Sequence, residues 1–137
     1  RIGRPMRSKP AILLVDHGSR RAEANQQLES IAQKLRDRDP QRIVQIAHLE
    51  IAKPTIAEGL AACVEAGASE VVVHPYLLAP GRHSREDIPA VSAQAAQAHP
   101  GVSVVVSEPL GVHEKLIDVV LERVDAAARV SEQPDAS

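Results

Sequence analysis

Apolar runs at 11–15, 42–49 and 71–78 alternate with longer stretches in which apolar residues recur at helical spacing. Leu28, Ile31, Ala32 and Leu35 share one face of a helix predicted over about 20–38. A second strand over 43–49 leads into a helix that Pro54 suits at its first turn and Gly67 ends. The stretch 70–77 is almost continuously apolar, the pattern of a parallel strand covered on both faces. The APGRH segment after it, 79–83, reads as a loop. Asp87 is placed to cap a third helix, with Pro89 in its first turn, and that helix stops before His99. Residues 102–106 give a fourth strand, and Leu116, Val119, Val120 and Val124 mark a last helix over about 112–128. The order βαβαβαβα predicts an α/β fold with a single four-stranded parallel sheet flanked by helices. One domain is expected over 11–128, preceded by a flexible basic arm at 1–10 and followed by a polar tail at 129–137.

Composition narrows the partners. At 137 residues and 44% apolar content the chain can bury one core, built from Ala, Val, Leu and Ile because Tyr76 is the only aromatic residue. Nucleic-acid bases would find little to stack on, and with 16 Lys plus Arg against 18 Asp plus Glu no basic stripe runs through the body. Nucleic acid is therefore not an expected partner. Cys63 stands alone in an apolar helical stretch, where a buried thiol is expected. One thiolate does not hold an iron–sulfur cluster, so none is expected. No apolar stretch reaches the roughly 18–20 residues of a membrane span, and the start has no signal-peptide core. A cytoplasmic location without membrane attachment is expected.

His17, Glu50 and His83 stand at equal intervals, each just past an apolar run. A strand, a helix and their turns take roughly 30 residues, so each interval is one βα unit and all three residues fall at carboxyl ends of parallel strands. Open sheets bind ligands in the crevice there. In VDHGSR, Gly18 allows a tight turn and Ser19 can cap the next helix. His17 reads either as a loop-satisfied histidine or as a base or metal ligand. Glu50, in HLEIAKPTI, reads as a site carboxylate or as a solvated one favoured by a helix dipole. In PYLLAPGRHSREDIP, Gly81 permits an unusual turn, and Arg82 and Arg85 flank His83 with charge able to pair with carboxylates. His48 and His74 lie within strands and read as packed, hydrogen-bonded residues; His99 and His113 read as surface positions. A sheet this small leaves its edges and one broad side poorly covered, which favours a second copy.

Together, HGSR after strand one, HLEIAKPTI and PYLLAPGRHSREDIP resemble the short class II chelatases of the sirohydrochlorin type, over about 11–125. That resemblance implies a chelatase-like (flavodoxin-like) half-unit. It implies ATP-independent insertion of cobalt or iron into sirohydrochlorin, for cobalamin or sirohaem biosynthesis, with the metal as substrate and no tightly bound cofactor. His17 and His83 would be the active-site histidines and Glu50 their acidic partner, as catalytic groups and metal ligands. Metallation removes pyrrole N–H protons and strips water from the metal, so bases and ligands are needed in one place. The macrocycle's carboxylates imply a cationic rim, for which Arg20, Lys53, Arg82 and Arg85 are candidates; solvated surface charge is the other reading of each. Imidazole with carboxylate suits cobalt and iron alike, while nickel is less favoured without a histidine-rich loop. Asp16 stands where the family more often has a small residue, and adjacent strand positions point apart, so it is not expected to orient His17. Longer relatives close two similar halves over one cleft, which implies a homodimer here. Two rival readings use the same histidines: a metal or tetrapyrrole carrier that does not turn over, and a histidine phosphoryl-transfer enzyme. The latter group has Arg directly before the His, where Asp16 would repel a phosphate dianion.

Overall fold

A computed structural model describes residues 9–79 and 81–132; the side chains of 82, 83, 131 and 132 are outside that description, as are residues 1–8, most of the expected arm, and 133–137. The chain runs β1 (Ala11–Asp16), α1 (Ala22–Arg38), β2 (Val44–His48), α2 (Ile56–Glu65), β3 (Glu70–Pro75), α3 (Arg82–Ala96), β4 (Ser103–Val106) and α4 (Glu114–Glu132). The four strands form one parallel sheet in the order β2-β1-β3-β4. The α/β expectation holds in element order and strand direction.

Strand order reverses at β1, which pairs with β2 from Ile12↔Val44 to Asp16↔His48 and with β3 from Ala11↔Val71 to Val15↔Pro75. Chain crossovers of one hand then place α1 on one face and α2 and α3 on the other. Side chains alternate accordingly. Leu13, Val15, Ala47, Val71 and Val73 join Ile56, Leu60, Cys63 and Ile88 in the larger core, while Leu14 and Val44 pack with Leu28 and Ala32 of α1. Gly59 lets α2 lie close on the sheet: a Cβ there would meet Leu13 Cδ1 at 2.7 Å and the Ile46 carbonyl oxygen at 2.8 Å.

Three helix starts differ from expectation. Ser19 does not cap α1, which begins at Ala22 behind an Arg21 N-cap without a side-chain bond. Instead Ser19 is clasped by Asn25, whose Oδ1 accepts from the Ser19 amide (2.9 Å) and whose Nδ2 donates to the Ser19 carbonyl (2.7 Å). Pro54 is not in the first turn of α2. Thr55 is the N-cap, in a reciprocal capping box with Glu58, and the Pro54 carbonyl accepts from the His48 amide at 2.8 Å, prolonging the ladder. The APGRH segment is not all loop, because α3 starts at Arg82 behind Gly81 and leaves Asp87 and Pro89 inside the helix. Proline has no N–H for the preceding turn. Burial of Ile88 and Ser84 on either side of Asp87 outweighs that lost bond. At the far end α4 continues to Glu132, beyond the expected limit at 128. At the near end Lys9 pairs with Asp39 (3.2 Å) and the Pro10 carbonyl accepts from Arg42 (3.1 Å).

Two outcomes follow from this packing. Gly59→Ala should destabilise the domain by about 1–3 kcal/mol, because backbone cannot yield as a side chain can; urea denaturation measures it. Cys63 is fully buried, and desolvation pushes its thiol up to about 11. The folded chain should therefore leave a thiol reagent unreacted at pH 8 and titrate one thiol only when unfolded. A fast native-state reaction would contradict the packing.

Candidate active site

The parallel ladder between β1 and β2 does not stop where the strands formally end. The Leu49 amide donates to the Asp16 carbonyl (2.8 Å), and the Glu50 amide donates to the His17 carbonyl (3.0 Å). His17 and Glu50 are thus joined main chain to main chain at the carboxyl edge, and both are exposed. Gly18 makes that approach possible. Its φ is 91°, and a Cβ on it would sit 2.0 Å from the Glu50 carbonyl oxygen, which no side chain tolerates. On the other side of Glu50, Ile51 has a φ of 74° and is 63% exposed. A β-branched residue is strongly disfavoured there, so this turn is held by its surroundings.

Asp16 supports the edge from beneath. Its carboxylate oxygen Oδ1 accepts from the Gly18 amide (3.0 Å) and lies 2.5 Å from His48 Nδ1. His48 is buried at 1% exposure, whereas Asp16 is partly open. The pair shares one register position, Asp16↔His48. One carboxylate therefore ties the His17 turn to the neighbouring strand. Asp16 does not orient the His17 ring by any bond shown; it shapes the backbone that carries it. His74 is likewise a packed strand residue, bonded through Nδ1 to Ser107 Oγ (2.8 Å), and burial pushes its imidazole pKa down.

β3 ends at Pro75 on the same edge, and α3 follows with His83 in its first turn. The His83 side chain lies outside the described ones, as does that of Arg82. Among the described residues, no group of three or more His, Cys, Asp or Glu side chains is gathered to hold a metal ion. The structure thus brings His17 and Glu50 together and places the His83 backbone near the exit of the adjacent strand. Arg20 and Lys53 are exposed in the loops after β1 and β2, and Arg85 is exposed on α3. No ion pair among the described residues engages these three cations. Ile51 and Leu78 (66% exposed) add apolar surface to loops at this edge. A cavity of about 450 Å³ lies elsewhere, lined by Lys9, Asp39, Arg42 and Glu70 around the amino ends of the strands. Its lining holds no imidazole, so geometry and chemistry favour the open carboxyl edge.

Asn25, the Asp16–His48 pair and the strained Ile51 went unread in the sequence. The pair becomes visible only once the β1/β2 register is known, since it joins residues from two strands. No local signal marks Ile51.

A parallel sheet with a strand-order reversal, and a histidine and a glutamate joined at its carboxyl edge, makes this an α/β protein of the open-sheet class. The chain belongs to the CbiX family, which it matches over residues 11–127. It is 44% identical over 113 residues to the chloroplastic sirohydrochlorin ferrochelatase of Arabidopsis thaliana, covering 82% of this chain and 50% of that protein. Its fold is similar to the sirohydrochlorin chelatase SirB from Bacillus subtilis subspecies spizizenii, in complex with cobalt (TM-score 0.78, 34% identity, 87% of this chain and 51% of that one). It is also similar to a cobalamin (vitamin B12) biosynthesis CbiX protein from Marinobacter aquaeolei VT8 (TM-score 0.80, 27% identity, 92% of this chain and 100% of that one). The chain spans 50%, 43% and 40% of the length of three curated relatives it matches. No helix among the described residues is long and apolar enough to cross a membrane.

Gly18→Ala should push the Glu50 carbonyl off the His17 turn and cost roughly 2–4 kcal/mol, the range of a forced positive-φ side chain plus a backbone clash. Thermal unfolding of the variant beside wild type measures it. An unchanged transition would mean the two loops are not in contact.

Proposed function

We propose that this chain inserts a divalent metal, cobalt or iron, into sirohydrochlorin without ATP. The observation that carries the reading is the Glu50 amide to His17 carbonyl bond, which joins the main chains of a histidine and a glutamate at the strand-end edge of a CbiX-family sheet. The names of the relatives, a ferrochelatase and a chelatase in complex with cobalt, supply the substrate class. The metal is a substrate in this reaction and not a resident cofactor.

The chemistry asks for groups that accept protons from pyrrole nitrogens and groups that replace water around the metal. His17 and His83 can do either as neutral imidazoles, and Glu50 supplies the negative charge that favours a dication in the same place. Glu50 is held by the ladder and by the constrained turn at Ile51, so its backbone does not have to reorganise when metal arrives. The macrocycle has an apolar face and a charged rim. Ile51 and Leu78 offer apolar contact for the face, and Arg20, Lys53, Arg82 and Arg85 offer charge for carboxylates of the rim. One copy presents this as an open edge without an opposing wall, so two copies pair as a homodimer with their strand ends facing a shared cavity. A lone buried thiol suits a reducing compartment such as the cytoplasm.

The test is an anaerobic absorbance assay of sirohydrochlorin with Co²⁺ or Fe²⁺, on wild type, His17→Ala, Glu50→Gln and His83→Ala at equal concentration. Many turnovers per site are expected for wild type, with each variant slower by about 10²-fold or more, the scale of a lost acid–base group. Spectral binding with no more than one equivalent of product per site would make the chain a carrier. Full activity in the His17 and His83 variants would sink the site assignment.

A further inference from the structure

Asn25 stands in α1 at a position that asks for a better helix former. It falls in the first full turn, its amide reaching back to the Arg21 carbonyl at 3.4 Å, and it is not the cap, which is Arg21. Asparagine inside a helix is less favourable than alanine, because its side-chain amide competes for main-chain bonds. Here that amide is committed to a single residue outside the helix. Oδ1 accepts from the Ser19 amide (2.9 Å) and Nδ2 donates to the Ser19 carbonyl (2.7 Å), so one side chain answers both main-chain groups of Ser19. Both lengths are those of well-formed bonds.

The clasp ties the loop after β1 to a fixed body. Three residues further along α1, Leu28 is buried with Leu14 and Val44, which anchors this part of the helix on the sheet. Residues three apart are neighbours on a helix surface, so Asn25 stands beside that anchor. Ahead of Ser19 the chain has restraints of its own: the His17 carbonyl accepts from the Glu50 amide, and the Gly18 amide donates to Asp16 Oδ1 (3.0 Å). What the clasp adds therefore falls on Arg20. The Arg21 amide donates to Ser19 Oγ (3.0 Å), so the main chain on both sides of Arg20 is tied to the clasped serine. The Arg20 side chain is exposed, and no hydrogen bond or ion pair among the described residues engages it. A free guanidinium on a held backbone loses only side-chain freedom when it meets a carboxylate.

We propose that Asn25 is a positioning residue for tetrapyrrole binding, holding Ser19 so that Arg20 meets a carboxylate on the rim of the macrocycle. Asn25 itself touches no substrate. The inference rests on the reading of Arg20 as a rim cation and names the residue that aims it. Its particular consequence is that the clasp matters to binding only while the Arg20 guanidinium is present.

The test is a spectral titration of metal-free sirohydrochlorin into the full chain, which gives a Kd without any turnover, with circular dichroism to check folding. Arg20→Ala and Asn25→Ala should each weaken binding by about 10-fold, the scale of one charge-assisted hydrogen bond. The double variant should bind no more than about 2-fold more weakly than Arg20→Ala alone, because the two residues act as one unit. In the metal-insertion assay Asn25→Ala should raise KM for sirohydrochlorin by a similar factor, with KM for Co²⁺ and kcat moved by less than about 3-fold, a split that general loosening of the fold would not give. Effects that multiply to about 100-fold in the double variant would mean that Asn25 acts by another route, and would overturn the inference. A fall in kcat with KM and Kd unchanged would do the same. An Arg20→Ala chain that binds as wild type does would also overturn it while leaving metal insertion standing, whereas a wild type that does not bind sirohydrochlorin would overturn both. Should Asn25→Ala fail to fold, Asn25→Leu, which fills a similar volume without hydrogen bonding, takes its place with the same outcomes deciding.

Discussion

The carboxyl edge of β1 and β2 depends on one main-chain contact, the hydrogen bond from the Glu50 amide to the His17 carbonyl. It is not a regular rung, because the Leu49 amide already bonds to the Asp16 carbonyl and consecutive strand amides point apart; the chain turns at Glu50 so that a second amide faces the same loop. Loops of this kind carry function because the sheet positions them. Here the sheet does more, because its hydrogen-bond register reaches into the loops themselves. The absent side chain at Gly18 is the condition for that reach, since the Glu50 carbonyl occupies the place where a Cβ would be.

Beneath that contact, a partly buried polar pair carries the register inward. His48 has almost no exposure, and leaving its ring unbonded would incur the desolvation cost of a buried polar group. Asp16 prevents that and uses the same oxygen to receive the Gly18 amide. Loss of the carboxylate would therefore orphan an imidazole in the interior and a backbone donor at the edge together. Such shared acceptors couple core packing to site geometry, and they explain how a polar residue persists at the end of a central strand.

Architecture was legible because hydrophobic period is a strong signal: four apolar runs separated by helical stretches, two of them with clear apolar stripes, leave few alternatives to a parallel sheet. Positions of His17 and Glu50 were legible for the same reason, since a strand end is where the apolar run stops. Helix starts were not. Ser19, Pro54 and Asp87 each have the right side-chain chemistry for a first turn, but Asn25, the Thr55–Glu58 box and the burial of Ser84 and Ile88 decided the outcome. Those are competitions between neighbours several residues apart, and single-position preferences do not rank them. The Asp16–His48 pair required a register, which only the assembled sheet provides.

The left-handed backbone at Ile51 bears on how this domain can vary. Glycine there would relieve the steric conflict, so a search for thermostable variants by folding alone would tend to collect that change. The same change would free the turn that follows Glu50 and, on the function proposed above, loosen the carboxylate it presents. Stability and aim are therefore opposed at this residue, and a family alignment selected for activity and a library selected for heat resistance should disagree about which side chain belongs at this position.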